Sequence, residues 1–213
     1  MKTVYFVRHG ETEGNTGKIF QGSDTPLNER GFEQARVVAE RCAKLPVQAL
    51  LASSMKRAQQ TAEVIGKRIG LPIESSDLFA EAKRPTTLMG RSRDDKDAYK
   101  MELAWIKGYL GEGPKVEDGE HFDELIRRAG AALDYVEQHS AEHILVVTHG
   151  LFLKELYARL VFGGSVTSEE FKKIVFSLRS DNTGITVFTR DESIEKPGIH
   201  WVMRVWNDHA HCG

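Results

Sequence analysis

Thr3-Val4-Tyr5-Phe6-Val7-Arg8-His9-Gly10-Glu11-Thr12-Glu13-Gly14-Asn15 opens the chain with a short apolar run that breaks off abruptly into charge. Val4 to Val7 are all β-branched or aromatic, which suits a strand buried on both faces. A cation and an imidazole, Arg8 and His9, follow where such a strand would emerge. In open parallel sheets the crevice beyond the carboxyl ends of the strands is where ligands bind. Gly10 and Gly14 let the backbone turn or approach a ligand closely. Taken alone, the stretch also fits a strand end followed by an ordinary polar loop, so a second cluster must support the functional reading.

That cluster comes late. His143-Ile144-Leu145-Val146-Val147-Thr148 reads as another buried strand, and it too ends in His149-Gly150. Between the two, Ala49 to Ala52 reads as a strand, and Ser53-Ser54 as the cap of a helix whose inner face carries Ala58, Ala62, Ile65 and Ile69, closed by Gly70. An earlier helix starts at Asn28 as N-cap and presents Phe32, Ala35, Ala39 and Cys42. Leu71 to Glu74 is a short strand near a sheet edge, given Pro72. Asp97 to Leu110 has an untidy helical period, whereas Phe122, Leu125, Ile126, Ala129, Leu133 and Val136 give a clear one. Leu151 to Phe162 continues as helix, Ser168 caps another through Leu178, and Gly184–Thr189 with His200–Val205 form an antiparallel pair. Strands alternating with helices predict a three-layer α/β/α sandwich with a mostly parallel central sheet. Residues 1–213 read as one domain, with 77–119 as an insertion over the C-terminal edge of the sheet.

Composition sets the outer bounds. With 213 residues, 40% hydrophobic and 28% charged, the chain suits a packed single domain. A net charge of −2 gives no reason to expect nucleic acid or a membrane as partner. The first apolar run is too short for a signal peptide or a membrane span, so the cytoplasm is the expected location. Cys42 and Cys212 stand outside any C-x-x-C pattern and read as free thiols. The other histidines, His121, His139, His143, His200, His209 and His211, show no H-E-x-x-H spacing and read as surface residues, with 207–211 a solvated tail. No metal or cofactor is expected, and oligomeric state stays open, a homodimer included.

If the strands ending in His9 and His149 are neighbours, the two imidazoles share one pocket with Arg8 and with Arg57 from the first turn of the second helix. Two guanidiniums and two imidazoles make a site for a tetrahedral dianion. A neutral histidine there can attack phosphorus and form a phosphohistidine, and nearby arginine charge favours that neutral state. The leaving alkoxide needs a proton from a carboxylic acid.

Val7-Arg8-His9-Gly10-Glu11-Thr12 with Asn15, then Ser53 through Arg57-Ala58 to Thr61-Ala62, then Val147-Thr148-His149-Gly150, resembles the histidine phosphatase (phosphoglycerate mutase-like) superfamily. The resemblance spans nearly the whole chain, including Pro26-Leu27, Gly31 and Asn182-Thr183. It implies a phosphoglycerate mutase-like fold and a metal-independent phosphohistidine enzyme. His9 would be the nucleophile, with Arg8, Asn15, Arg57, His149 and Gly150 around the phosphoryl group. Glu81 matches the position of the proton donor, although Asp24, Glu74 and Asp77 are carboxylates near the same sheet edge.

After Glu81 the chain departs from the common pattern. Ala82 to Arg93 holds four basic residues, Lys83, Arg84, Arg91 and Arg93, and no acidic one. Such a strip would reach over the pocket and select substrates with a second anionic group, Lys83 and Arg84 leading, with Gln21 and Gly22 as further contacts. Phosphoglycerate mutases usually carry tryptophan after Phe-x-Gly, where this chain has Ser23, and arginine after the acid, where it has Ala82. Both differences favour hydrolysis of a small phosphorylated metabolite over mutase-type transfer. A metal-dependent hydrolase and a non-catalytic phosphate-binding module are the alternatives from other classes.

Overall fold

A computed structural model describes residues 1–16, 19–190 and 201–212, with Asn15 and Thr16 described in their backbone alone. Strand β1 (Lys2–Arg8) is followed by a single turn, α1 (Glu13–Thr16), and then α2 (Glu29–Cys42), β2 (Ala49–Ala52), α3 (Lys56–Ile69) and β3 (Ile73–Ser75). Next come α4 (Lys96–Tyr109), α5 (Phe122–Gln138), β4 (His143–Thr148), α6 (Gly150–Phe162), α7 (Ser168–Ser177), β5 (Ile185–Arg190) and β6 (Trp201–Asp208). The six strands form one sheet in the order β3-β2-β4-β1-β5-β6. The first four of that order run parallel, and β5 and β6 are antiparallel additions at one edge. His200, expected at the start of the last strand, lies outside the described residues.

Alternation along the strands divides the core. Val4, Phe6, Leu51, Ile144 and Val146 face α5 and α6, packing on Ala129, Leu133, Phe152 and Leu156. Val7, Leu50, Ala52, Leu145 and Val147 face α2 and α3, packing on Val38, Ala39, Cys42, Ala58, Ala62 and Ile65. Helices on both faces make this an α/β/α sandwich. Cys42 is buried and its thiol is pushed up to about 12 by that burial, which leaves it unreactive; Cys212 is also unpaired. No helix among the described residues is long and apolar enough to cross a membrane.

Two expected helix caps are displaced by one or two residues. Met55, not Ser53 or Ser54, is the N-cap of α3 and makes no side-chain cap bond. The Ser53 hydroxyl is engaged instead by His149 at 2.8 Å. Thr167 rather than Ser168 caps α7, in a reciprocal capping box with Glu170. Asn28 does cap α2, accepting from Gly31 N at 2.8 Å.

The turn after β1 is fixed by packing of backbone on backbone. A Cβ on Gly10 would lie 2.5 Å from Gly31 O, and one on Gly31 would lie 2.1 Å from Glu11 O. Gly31→Ala therefore forces α2 away from the Arg8–Glu11 turn. We expect a loss of about 1–3 kcal/mol in folding stability, read by urea unfolding.

The tail is not solvated as expected. Asn207, at φ 52°, accepts from Asp181 N at 2.8 Å, and His209 Nε2 lies 2.9 Å from Asn182 O. These bonds dock 207–211 against the loop 179–183, because the antiparallel β5–β6 pair returns the chain to that loop. Among the described residues no group of three or more His, Cys, Asp or Glu side chains is placed to hold a metal ion.

Candidate active site

Register brings the site together. β1 and β4 pair in parallel with Val7 opposite Val147 and Arg8 opposite Thr148, so the next residues, His9 and His149, leave the sheet side by side. His9 N donates to Thr148 O at 2.9 Å, and Ser53 N, at the end of β2, donates to Val147 O at 2.9 Å. The two imidazole rings lie with centroids 5.0 Å apart. Both are buried.

His9 Nδ1 lies 2.7 Å from Gly10 O. A carbonyl can only accept, so Nδ1 carries the proton and Nε2 keeps its lone pair. That lone pair meets Arg57 Nε, which donates at 3.2 Å. Arg57 also donates to Gly22 O at 3.0 Å, so the expected contact residue Gly22 holds the arginine through its carbonyl. The neighbouring Gln21 accepts from Thr12 Oγ1 at 2.9 Å and lines the same cleft. Arg8 donates to Ser180 O at 2.5 Å, and its buried Nε has no hydrogen-bond partner. Gly150 stands beside Ser180 and Arg8, where a Cβ would lie 2.8 Å from Ser180 Oγ and 3.3 Å from Arg8 Nε. His149 Nε2 meets the Ser53 hydroxyl at 2.8 Å, and His149 Nδ1 is buried without a partner. The Asn15 side chain lies outside the described residues.

Burial is the larger cause of the low basicity of both imidazoles, with the Arg57 and Arg8 charges acting in the same direction. Sequence reasoning named the arginines and missed the larger contribution, since burial depth is a property of the assembled fold. Burial also pulls Arg57 down to about 10, still charged at neutral pH. The sign for stability follows. A histidine held neutral in the fold takes up a proton on unfolding once pH falls below about 6.5, the unfolded value. Stability is therefore full above that pH and declines as pH drops below it. His149→Gln should flatten that decline in urea titrations between neutral and mildly acidic pH.

Glu81 follows a segment whose backbone is anchored at each carbonyl. Arg128 donates to Leu78 O at 3.2 Å and Ala80 O at 2.7 Å, and Thr148 Oγ1 donates to Phe79 O at 2.7 Å. The Glu81 carboxyl group accepts from the first-turn amides of α6, Phe152 N at 2.9 Å and Leu151 N at 3.2 Å. Arg128 also stacks on the Phe152 ring at 4.7 Å, pairs with Glu120 at 2.7 Å, and reaches the fully buried Glu155 at 3.3 Å. Sequence reasoning placed Ser53 at the end of its strand as a helix cap, without the bond to His149, and missed Arg128. Arg128 lies half-buried beside the apolar face of α5 while its neighbour Arg127 is exposed, a difference that this charged helix does not mark in its sequence.

A cleft of about 1400 Å³ is lined by Arg8, His9, Gln21, Gly22, Arg57, Glu81, Lys83, Arg84 and Arg93. Asp24 and Asp77 line it as well, whereas Glu74 belongs to edge strand β3 and pairs with His139 at 3.4 Å. The basic strip does not reach the cleft as an uncompensated row. Lys83 pairs with Asp118 at 2.9 Å, Arg91 with Asp95 at 2.7 Å, and Arg93 with Glu102 at 2.7 Å. Acidic partners from later in the chain offset it. Arg84 alone of the four makes no hydrogen bond to a described residue, and its nearest acid is Glu102 at 3.8 Å.

Residues 4–209 match the model of the histidine phosphatase superfamily, branch 1. The chain belongs to the histidine phosphatase superfamily. It is 30% identical over 214 residues to phosphoglycerate mutase-like protein 4 of Arabidopsis thaliana, covering 98% of this chain and 86% of that one. Among solved structures, Bacillus stearothermophilus YhfR superposes with a TM-score of 0.81 at 27% identity, with both chains covered in full. The alpha-ribazole phosphatase of Shigella flexneri superposes with a TM-score of 0.78 at 25% identity, covering 97% of this chain and 96% of that one. In this chain His9 and His149, with Arg8 and Arg57, stand at the mouth of the parallel sheet.

Proposed function

We propose that this histidine phosphatase superfamily member hydrolyses phosphomonoesters of small metabolites through a phosphohistidine on His9. One observation carries the reading: the unprotonated Nε2 of His9 points at Arg57 Nε, 3.2 Å away, in a cleft shared with Arg8 and Glu81. A phosphoryl group entering there meets a lone pair and two cations. Nε2 attacks phosphorus, the bond from phosphorus to the ester oxygen breaks, and Glu81 gives its proton to that oxygen. Glu81, now a carboxylate, then takes a proton from water as the water oxygen attacks phosphorus, releasing inorganic phosphate and restoring His9. Arg8 and Arg57 stabilise the charge spread over the equatorial oxygens. With the Ser53 hydroxyl donating to His149 Nε2, His149 Nδ1 carries a proton and donates to the same oxygens.

Two features support hydrolysis over mutase-type transfer. Ser23 lines the cleft where mutases place tryptophan, which leaves room for water. Ala82, buried at 3% exposure, packs with Leu125 and Phe171 where mutases carry an arginine. The test supplies phosphoglycerate and a sugar phosphate in the presence of a chelator and follows products by phosphorus NMR. Free phosphate, undiminished by the chelator, is expected. An isomerised ester without phosphate release would favour the mutase, and binding without turnover would favour a phosphate-binding module.

A further inference from the structure

Met55 is one of five methionines, and its sulfur stands against a cation of the site. Arg57 donates through Nη2 to Met55 Sδ at 3.2 Å, while its Nε goes to His9 Nε2 and its Nη1 to Gly22 O. A thioether is the weakest acceptor of the three. It steadies the guanidinium between turnovers and yields that donor to a phosphate oxygen on arrival. The backbone of Met55 is fixed. Its N donates to Ser53 Oγ at 3.2 Å, and its O accepts from Ala58 N at 2.9 Å and Gln59 N at 3.0 Å. Met55 is half-buried and lines the cleft of about 1400 Å³, which opens it to a small oxidant. The other methionines are placed differently. Met89 lines the cleft, but among the described residues its sulfur accepts no hydrogen bond. Met101 accepts from the neutral Thr87 hydroxyl at 3.2 Å, and Met203 packs on the core.

The structure assigns Met55 as an oxidation site that controls the phosphoryl-binding arginine: a peroxide converts its thioether to the sulfoxide, whose oxygen then holds the Arg57 donor that the phosphoryl group needs. In that step the sulfur lone pair attacks one peroxide oxygen, and an S–O bond forms as the O–O bond breaks. The other oxygen leaves as water or, from an alkyl hydroperoxide, as the alcohol. Sulfur is oxidised by two electrons and the peroxide is reduced by two. The product is polar, and its oxygen accepts from a charged donor far more strongly than the thioether does. With the new oxygen in place the side chain backs off by about 1 Å to restore an ordinary N–H···O distance, which its three rotatable bonds permit. Arg57 keeps its charge and loses a free donor. Reduction of the sulfoxide reverses the block. The inference rests on the reading above of Arg57 as a phosphoryl ligand.

The experiment uses Cys212→Ser protein, so that no exposed thiol consumes the oxidant, and treats it with hydrogen peroxide while peptide mass spectra follow each methionine. Each variant is compared with its own untreated sample, which cancels differences in basal activity. Sulfoxide at Met55 should lower kcat/KM for a phosphomonoester by about 10- to 100-fold, and weaken binding of inorganic phosphate, read by calorimetry, by a similar factor. Methionine sulfoxide reductases A and B together should restore both. Under the same treatment Met55→Leu should hold its treated-to-untreated ratio near one, whereas Met89→Leu should lose as much as the parent. Three results each overturn the assignment: full sulfoxide at Met55 with phosphate affinity unchanged, an equal loss in Met55→Leu, or a Met55 that stays reduced while Met1 and Met89 oxidise. A protein that hydrolyses no ester, yet loses phosphate affinity on oxidation and regains it on reduction, would instead strike the phosphatase reading and leave the Met55 site standing.

Discussion

His9→Ala is expected to reduce kcat by roughly 10⁴-fold or more, because a covalent route is removed while the anion site remains. The structure gives the expectation its form. Nδ1 is tied to Gly10 O at 2.7 Å, so the ring is oriented with Nε2 toward the cleft, and no other described imidazole shares that arrangement with Arg57. Wild-type protein mixed with excess phosphoester and quenched in base should carry one phosphoryl group per chain, stable in alkali and lost in mild acid. The label should map to the peptide containing His9. A variant that keeps a tenth of its activity, or a label on another residue, would mean that water attacks the ester directly or that a different nucleophile operates.

Glu81→Gln should give the second largest effect, and its size should depend on the leaving group. An alkyl phosphate leaves as a strong base and needs the proton, so phosphorylation of His9 should slow by roughly 10²–10⁴-fold. A nitrophenolate leaves unaided, and its burst phase should change by about 10-fold or less. Dephosphorylation should slow with both, since the same carboxylate activates water, and phosphohistidine should accumulate with the aryl substrate. Glutamine keeps one oxygen for Phe152 N and sets an NH2 against Leu151 N, so urea unfolding of the variant separates lost proton transfer from loosening of α6. Equal losses of the burst phase on both substrates would remove Glu81 from the role of acid.

The parts of the fold written in local pattern were the legible ones. β4 runs His143–Thr148 as its apolar run indicated, and β2 runs Ala49–Ala52, because the interior of a strand buried on both faces is apolar throughout. The meeting of His9 with His149 was legible for the same reason: each imidazole sits immediately beyond such a run, and parallel neighbours in register end at one level. What sequence concealed was pairing at a distance. Lys83, Arg84, Arg91 and Arg93 look like an open positive strip until Asp118, Glu102 and Asp95 fold against them. Ser53 looks like a helix cap until His149 arrives from nearly a hundred residues away. Local propensity cannot rank a cap against a partner that distant.

The excursion beyond Glu81 closes on itself. Glu120 N donates to Lys83 O at 2.7 Å, and Lys83 N returns a bond to the Glu120 carboxylate at 3.2 Å. Between those two residues the segment packs inward through Trp105, Tyr109 and Leu110 against Leu125, Phe171 and Ile174, whereas the carbonyls of Leu78, Phe79 and Ala80 are moored outside it. The proton donor thus has anchors of its own, separate from the segment that follows it. A change confined to the exposed positions of that segment leaves Glu81 where it is.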